Sequence, residues 1–173
     1  EIIISALEHH SNLIPWQELA KRKGAILKFI PLTKDFQLYF EAFENLLSKR
    51  TKLLAITSMS NITGTIPNLK KFINKAHEFN VKVIVDGAQG LAHTKTDVQD
   101  LNCDFLAFSA HKMLGPTGVG VLYTKEEMSP LLFGGGIVKE VTETESTFLD
   151  GPEKFDAGTA NIADVIAFGQ ALE

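Results

Sequence analysis

Val81-Lys82-Val83-Ile84-Val85 is an almost unbroken apolar run, and Asp86-Gly87-Ala88-Gln89 follows it at once. A short, β-branched run of this kind reads as a strand covered on both faces, as in a parallel sheet between helices. Residues 105–108 and 119–123 read the same way, and residues 2–6, 26–30 and 53–57 add three more strands. Helical patterns lie between them. Residues 11–23 place Leu13, Trp16, Leu19 and Ala20 at helical spacing, with Gly24 as the stop. Residues 40–47 form a second pattern. Residues 68–79 form a third, with Leu69, Phe72, Ile73 and Ala76 on one face and Asn80 as the stop. Residues 126–132 read as a short helix at most, 134–157 as loops with one hairpin, and 163–172 as the start of a last helix. Alternating strands and helices predict an α/β fold with a mostly parallel sheet.

Such a sheet needs enough apolar mass to bury both faces, and 45% of the 173 residues are apolar. The net charge is -4 with no basic block, which leaves no electrostatic footprint for nucleic acid. No apolar run approaches the roughly 18 residues of a membrane span. Glu1-Ile2-Ile3-Ile4 does not have the form of a signal peptide. The single cysteine, Cys103, excludes an internal disulfide, and a reducing, cytoplasmic compartment is expected. The chain begins inside a strand pattern and stops partway through a helical one, at Ala171-Leu172-Glu173. It reads as a piece of a longer polypeptide.

In open α/β sheets, ligands sit beyond the carboxyl ends of the strands. The residues there are polar in four cases: Glu8-His9-His10, Ser58-Met59-Ser60-Asn61, Asp86-Gly87-Ala88-Gln89 and Ser109-Ala110-His111-Lys112. Asp86 either caps the next turn or offers a carboxylate to a cationic ligand group. Lys112 is either a surface lysine or an amine made nucleophilic by its surroundings, able to form a Schiff base. Ser109 and His111 either satisfy the local backbone or donate to phosphate oxygens. His9 has a flat ring suited to stacking on a heterocycle. A metal is not expected, because His9 and His10 are adjacent and point apart, and no Cys, Asp or Glu cluster completes a site. A dinucleotide is not expected either. There is no G-x-G-x-x-G after a strand, and the glycines from Gly115 to Gly120 lead into a strand rather than a helix.

Taken in order, Glu8-His9-His10-Ser11-Asn12, Asp86-Gly87-Ala88-Gln89, Ser109-Ala110-His111-Lys112, Gly115-Pro116-Thr117-Gly118, Gly134-Gly135-Gly136 and Phe155-Asp156-Ala157-Gly158-Thr159 resemble the class V aminotransferase superfamily of pyridoxal-phosphate (PLP) enzymes. The likeness is strongest to Suf-type cysteine desulfurases and selenocysteine lyases. It implies the large domain of PLP transferase fold type I, three layers around a mostly parallel sheet. Residues 1–173 would be the central part of that domain, without its N-terminal segment and without the C-terminal small domain.

The resemblance also implies roles. Lys112 holds the cofactor as a Schiff base and moves the substrate α-proton. Asp86 pairs with the pyridine nitrogen, Gln89 with the ring phenolate oxygen, and His9 stacks on the ring. Ser109 and His111 hold the phosphate, and Asn61 lies near the substrate carboxylate. Thr159 reaches the phosphate of a neighbouring subunit's cofactor, which makes the enzyme a homodimer. The reaction implied is conversion of L-cysteine to L-alanine, with sulfur passing to an enzyme thiolate as a persulfide and then to an acceptor protein, as in iron-sulfur cluster assembly. Selenocysteine lyases, sulfoxide lyases and epimerases share the pattern, and a scaffold that has lost catalysis is a third reading. The family's persulfide cysteine and carboxylate-clamping arginine are expected after Glu173, and its glycine-rich phosphate turn before Glu1. Cys103 falls at a structural position. Ala160 stands where the family usually has proline, and Ile137-Val138 follows the three glycines where methionine is common. The segment alone is therefore expected to bind PLP weakly and to lack desulfurase activity.

Overall fold

A computed structural model describes residues 1–173. Six strands form one sheet: β1 (Ile2–Ser5), β2 (Leu27–Ile30), β3 (Leu53–Thr57), β4 (Lys82–Asp86), β5 (Phe105–Ser109) and β6 (Gly120–Thr124). Their spatial order is β2-β1-β3-β4-β5-β6. The first four pairings are parallel and the last, β5 with β6, is antiparallel. The helices are α1 (Ile14–Lys23), α2 (Phe40–Leu46), α3 (Leu69–Glu78), α4 (Val98–Leu101) and α5 (Ile162–Ala171). A hairpin of β7 (Val138–Val141) and β8 (Ser146–Phe148) stands apart from the main sheet.

Alternate residues of the central strands feed two cores, because successive side chains point to opposite faces. Ile3, Leu54, Ile56, Val83, Val85 and Leu106 share one face with Phe43, Phe72, Ile73 and Ala76 of α2 and α3. Ile2, Ile4 and Ala55 take the other face, against Leu13, Trp16 and Leu19 around α1. Each fully buried Ile, Leu, Val or Phe side chain among them contributes about 1.5–3 kcal/mol. The helix ends follow their expected chemistry. Pro15 opens α1, Gly24 closes it with φ of 64°, and the Asn68 side chain accepts from Lys71 N–H at the start of α3.

Two expectations are corrected. Residues 126–132 form no helix. Pro130 disfavours helical geometry in the residue before it, and Glu126 is drawn to Lys82 and to the Thr124 hydroxyl instead. The strand expected at 119–123 is β6, but it is a sheet edge, with Val121 38% and Leu122 57% exposed rather than covered on both faces.

One topological feature positions everything that follows. The chain leaves β1 through α1 to reach β2 on one side, then returns through α2 to β3 on the other side of β1. From β3 the chain continues through α3 to β4, away from β1, so the connections leaving β1 and β3 diverge and a crevice opens between their carboxyl ends.

Candidate active site

That crevice is part of a cavity of about 640 Å³, within the roughly 300–1,000 Å³ range of small-molecule sites. It extends along the sheet edge from the end of β1 to the turn after β5. His9, Asn61, Asp86, Gln89, Ser109, His111 and Lys112 all line it. Seven of the eight residues singled out in the sequence thus converge, although they come from four strand ends spread over about a hundred residues of chain. The eighth, Thr159, is exposed in the stretch before α5 and does not line the cavity.

Each side chain is aimed by its own backbone. Asp86 ends β4, and its carbonyl accepts from Ser58 N–H at 2.8 Å and from the Ser58 hydroxyl at 2.9 Å, which ties β4 to the loop after β3. Asp86 Oδ1 accepts from Ala88 N–H at 2.9 Å; Oδ2 has no partner within the chain. His9 Nδ1 accepts from Ser11 N–H at 3.1 Å, so a neutral ring carries its proton on Nε2. Lys112 ends a single 3₁₀ turn, Ala110–Lys112, directly after β5. The turn is held by Met113 N–H and Gly115 N–H, both donating to the Ala110 carbonyl, at 2.8 and 3.0 Å. Gly115 must be glycine here. A Cβ would sit 2.7 Å from the Phe168 ring and 3.0 Å from the Ala110 oxygen.

The polar ends left over are the informative part. The side chains of Asn61, Gln89, Ser109, His111 and Lys112 make no hydrogen bond within the chain. Buried side-chain polar groups are all paired. Asp104 accepts from His77 Nε2 at 2.9 Å, Val83 N–H at 2.8 Å and Lys82 at 3.2 Å. Burial pushes against its ionisation, but those donors outweigh it and hold its carboxyl below the usual range. Two amides, a hydroxyl, an imidazole, an amine and a carboxylate oxygen thus lie along one cavity with their polar ends free, which makes it the candidate binding site. The set offers one anionic acceptor, a cluster of donors suited to an anion, a flat ring and an amine. That is the donor chemistry needed by a phosphorylated, protonated aromatic aldehyde, so the residues fit PLP. They do not form a metal cluster.

Sequence reading gave no role to Glu8, which supports the site without lining the cavity. Glu8, half-buried behind His9, accepts from Thr57 N–H at 2.6 Å, from Asn12 Nδ2 at 2.6 Å and from the Ser5 hydroxyl. Burial pushes its pKa up to about 7 against the pull of those donors, and the nearby Asp86 charge adds to the rise. Its place before His9 at a strand end was the only local signal. Cys103 is buried before the amino end of β5, while the cavity lies past the carboxyl end. Burial also pushes its thiol pKa up.

Comparison with known proteins shows the family and the fold. The family model described as aminotransferase class-V matches residues 1–173. A probable cysteine desulfurase of Halalkalibacterium halodurans is 48% identical over 177 aligned residues, which cover 100% of this chain and 44% of the relative. A cysteine desulfurase of Escherichia coli O8 is also 48% identical, with 99% and 44% covered. The crystal structure of the E. coli cysteine desulfurase CsdA, in its S-sulfonic acid form, superposes with a TM-score of 0.95 at 45% identity, covering 99% of this chain and 44% of that one. The apo cysteine desulfurase of Thermococcus onnurineus NA1 gives 0.93 at 36% identity, with the same coverage. The chain spans about 44% of the length of these relatives.

Proposed function

The chain belongs to the class V aminotransferase family, and on that premise we propose that its cavity holds pyridoxal phosphate in a cysteine desulfurase. The observation that carries the reading is the convergence on one cavity of Lys112, Gln89, Ser109 and His111, whose polar ends are unused, with His9 and the free Oδ2 of Asp86. When bound, PLP draws electrons from the substrate α-carbon and so lets its proton leave.

The chain's own residues do the rest. Lys112 would hold the cofactor's aldehyde group, and its Nζ would be the base that carries the substrate α-proton. Asp86 Oδ2 would keep the ring nitrogen protonated, since an opposite charge favours the charged form. Gln89 would donate to the phenolate oxygen. His9 would stack on the ring, and Ser109 and His111 would donate to the phosphate. Asn61 orients the substrate carboxylate. Thr159, on the exposed approach to α5, serves the phosphate site of a second subunit, so the working enzyme is a homodimer.

The overall reaction converts L-cysteine and an enzyme thiol into L-alanine and an enzyme persulfide, which hands sulfur to an acceptor. Cys103 is not that thiol, being fully buried at the far end of β5. A different cysteine of the working enzyme takes the sulfur. The names of the relatives favour cysteine over selenocysteine as substrate.

The test uses the full-length protein. It should show a visible absorbance band near about 420 nm, lost in Lys112→Ala, and should turn L-cysteine into L-alanine. A full-length protein that binds PLP but leaves cysteine unchanged would reject the desulfurase assignment. One with no band would reject the PLP site.

A further inference from the structure

We propose that Glu8 is a positioning residue that locks the turn carrying His9 across the β1/β3 crevice, through a one-way relay of hydrogen bonds ending at Trp16. The inference rests on the PLP reading above, since it concerns how the His9 face of that site is held.

The crevice creates the need. β1 and β3 are neighbours, but their chains leave in opposite directions, so no backbone ladder joins the segments beyond Ser5 and Thr57. The Glu8 carboxyl fills the gap. Oε1 takes the backbone N–H of Thr57, 49 residues away, and the Ser5 hydroxyl; Oε2 takes Asn12 Nδ2. His9 lies between Glu8 and Asn12, so both sides of its turn are fastened to the sheet.

The direction of the relay follows from atom types. Indole Nε1–H can only donate, and Trp16 Nε1 donates to Asn12 Oδ1 at 3.0 Å. That fixes the Asn12 amide, which must present its NH₂ to Glu8 at 2.6 Å. Thr57 N–H is also an obligate donor. Glu8 therefore meets fixed donors on both oxygens, and only the Ser5 hydroxyl can change role. A carboxyl group satisfies this in either protonation state, because a proton on Oε1 can be donated to Ser5 Oγ. A glutamine cannot. With its NH₂ toward Asn12 it meets a donor, and with its NH₂ toward Thr57 it meets another.

The relay has a consequence that a packing role lacks. Glu8→Gln, nearly the same shape, should be damaging, and Trp16→Phe should relieve it. Without the indole donor, the Asn12 amide turns over and offers Oδ1 to the glutamine. In the full-length protein, E8Q is expected to weaken PLP binding at least about tenfold and to alter the circular dichroism of the bound cofactor's visible band. The double variant E8Q/W16F should recover most of both, or should fold and bind where E8Q does not fold at all. Wild-type affinity and dichroism in E8Q would overturn the inference, as would a double variant no better than E8Q. An unsubstituted protein that binds no PLP would overturn the functional reading, and this inference with it; that result differs from failure of the inference alone, in which unsubstituted protein and E8Q bind alike.

Discussion

Asp86 and Lys112 stand at the ends of neighbouring parallel strands and line one cavity, yet they form no ion pair with each other or with any other side chain. Elsewhere this chain pairs such charges readily, as Lys82 does with Asp104 and Glu126. In the proposed function these two unpaired charges are the groups that meet the cofactor.

Asp86 is therefore expected to matter for chemistry more than for folding. Asp86→Asn keeps the bond from Ala88 N–H but loses the negative charge. Full-length protein carrying it should unfold within about 0.5 kcal/mol of wild type and turn over cysteine at least about a hundredfold more slowly. Chemical denaturation and alanine release measure the two. A rate within a few-fold of wild type would remove Asp86 from the mechanism.

Trp16 is the chain's only tryptophan and lines the same cavity. Bound PLP absorbs in the region of indole emission, so titrating the apoprotein should quench the Trp16 component. That component is isolated by subtracting the emission of Trp16→Phe protein. Saturation should coincide with growth of the visible band. Full occupancy by absorbance with an unchanged Trp16 component would place the cofactor elsewhere.

Glu8 makes stability depend on pH in a stated direction. Its folded pKa of about 7 lies above the ordinary carboxylate value of 4.5, so between these values the native state binds more protons than the unfolded one. Its contribution is fully present below the ordinary value and is lost as pH rises through the folded one. Denaturant midpoints should fall from pH 5 to pH 8, by an amount on the order of 2–3 kcal/mol from this group alone. Glu8→Gln should flatten that portion. Equal slopes in the two proteins would show that Glu8 is not the titrating group.

Gly115 supports the lysine turn by leaving room. In Gly115→Ala the new methyl presses on Phe168 and on the Ala110 oxygen, which cannot retreat because two N–H groups already hold it. A loss of about 1–3 kcal/mol is expected, together with weaker PLP uptake, since Ala110 begins the turn that ends at Lys112. Melting and absorbance together check this. Unchanged values in both would show that the turn tolerates the extra carbon.

Most elements and most of the site were legible in the chain, because both kinds of information are local. The run 81–85 carries its own strand signal, Gly24 and Asn80 mark helix ends by their tolerance of positive φ, and polar residues directly after apolar strands declare themselves. The short helix expected at 126–132 is absent partly for a local reason, Pro130, and partly because Glu126 bonds to Lys82, 44 residues away, which no local pattern records. Thr159 was assigned by resemblance to a second subunit's site, and within a single chain it stands exposed.

The sequence by itself determined the alternation of strands and helices and the identity of the polar groups at the strand ends, since periodicity and side-chain chemistry are properties of near neighbours. Only the tertiary structure decided that β1 and β3 lie side by side, with a crevice between their diverging connections. It alone brought the Glu8 carboxyl onto the Thr57 N–H and drew seven separated side chains to one cavity. Those outcomes depend on which buried faces pack together, and packing is a property of the whole chain.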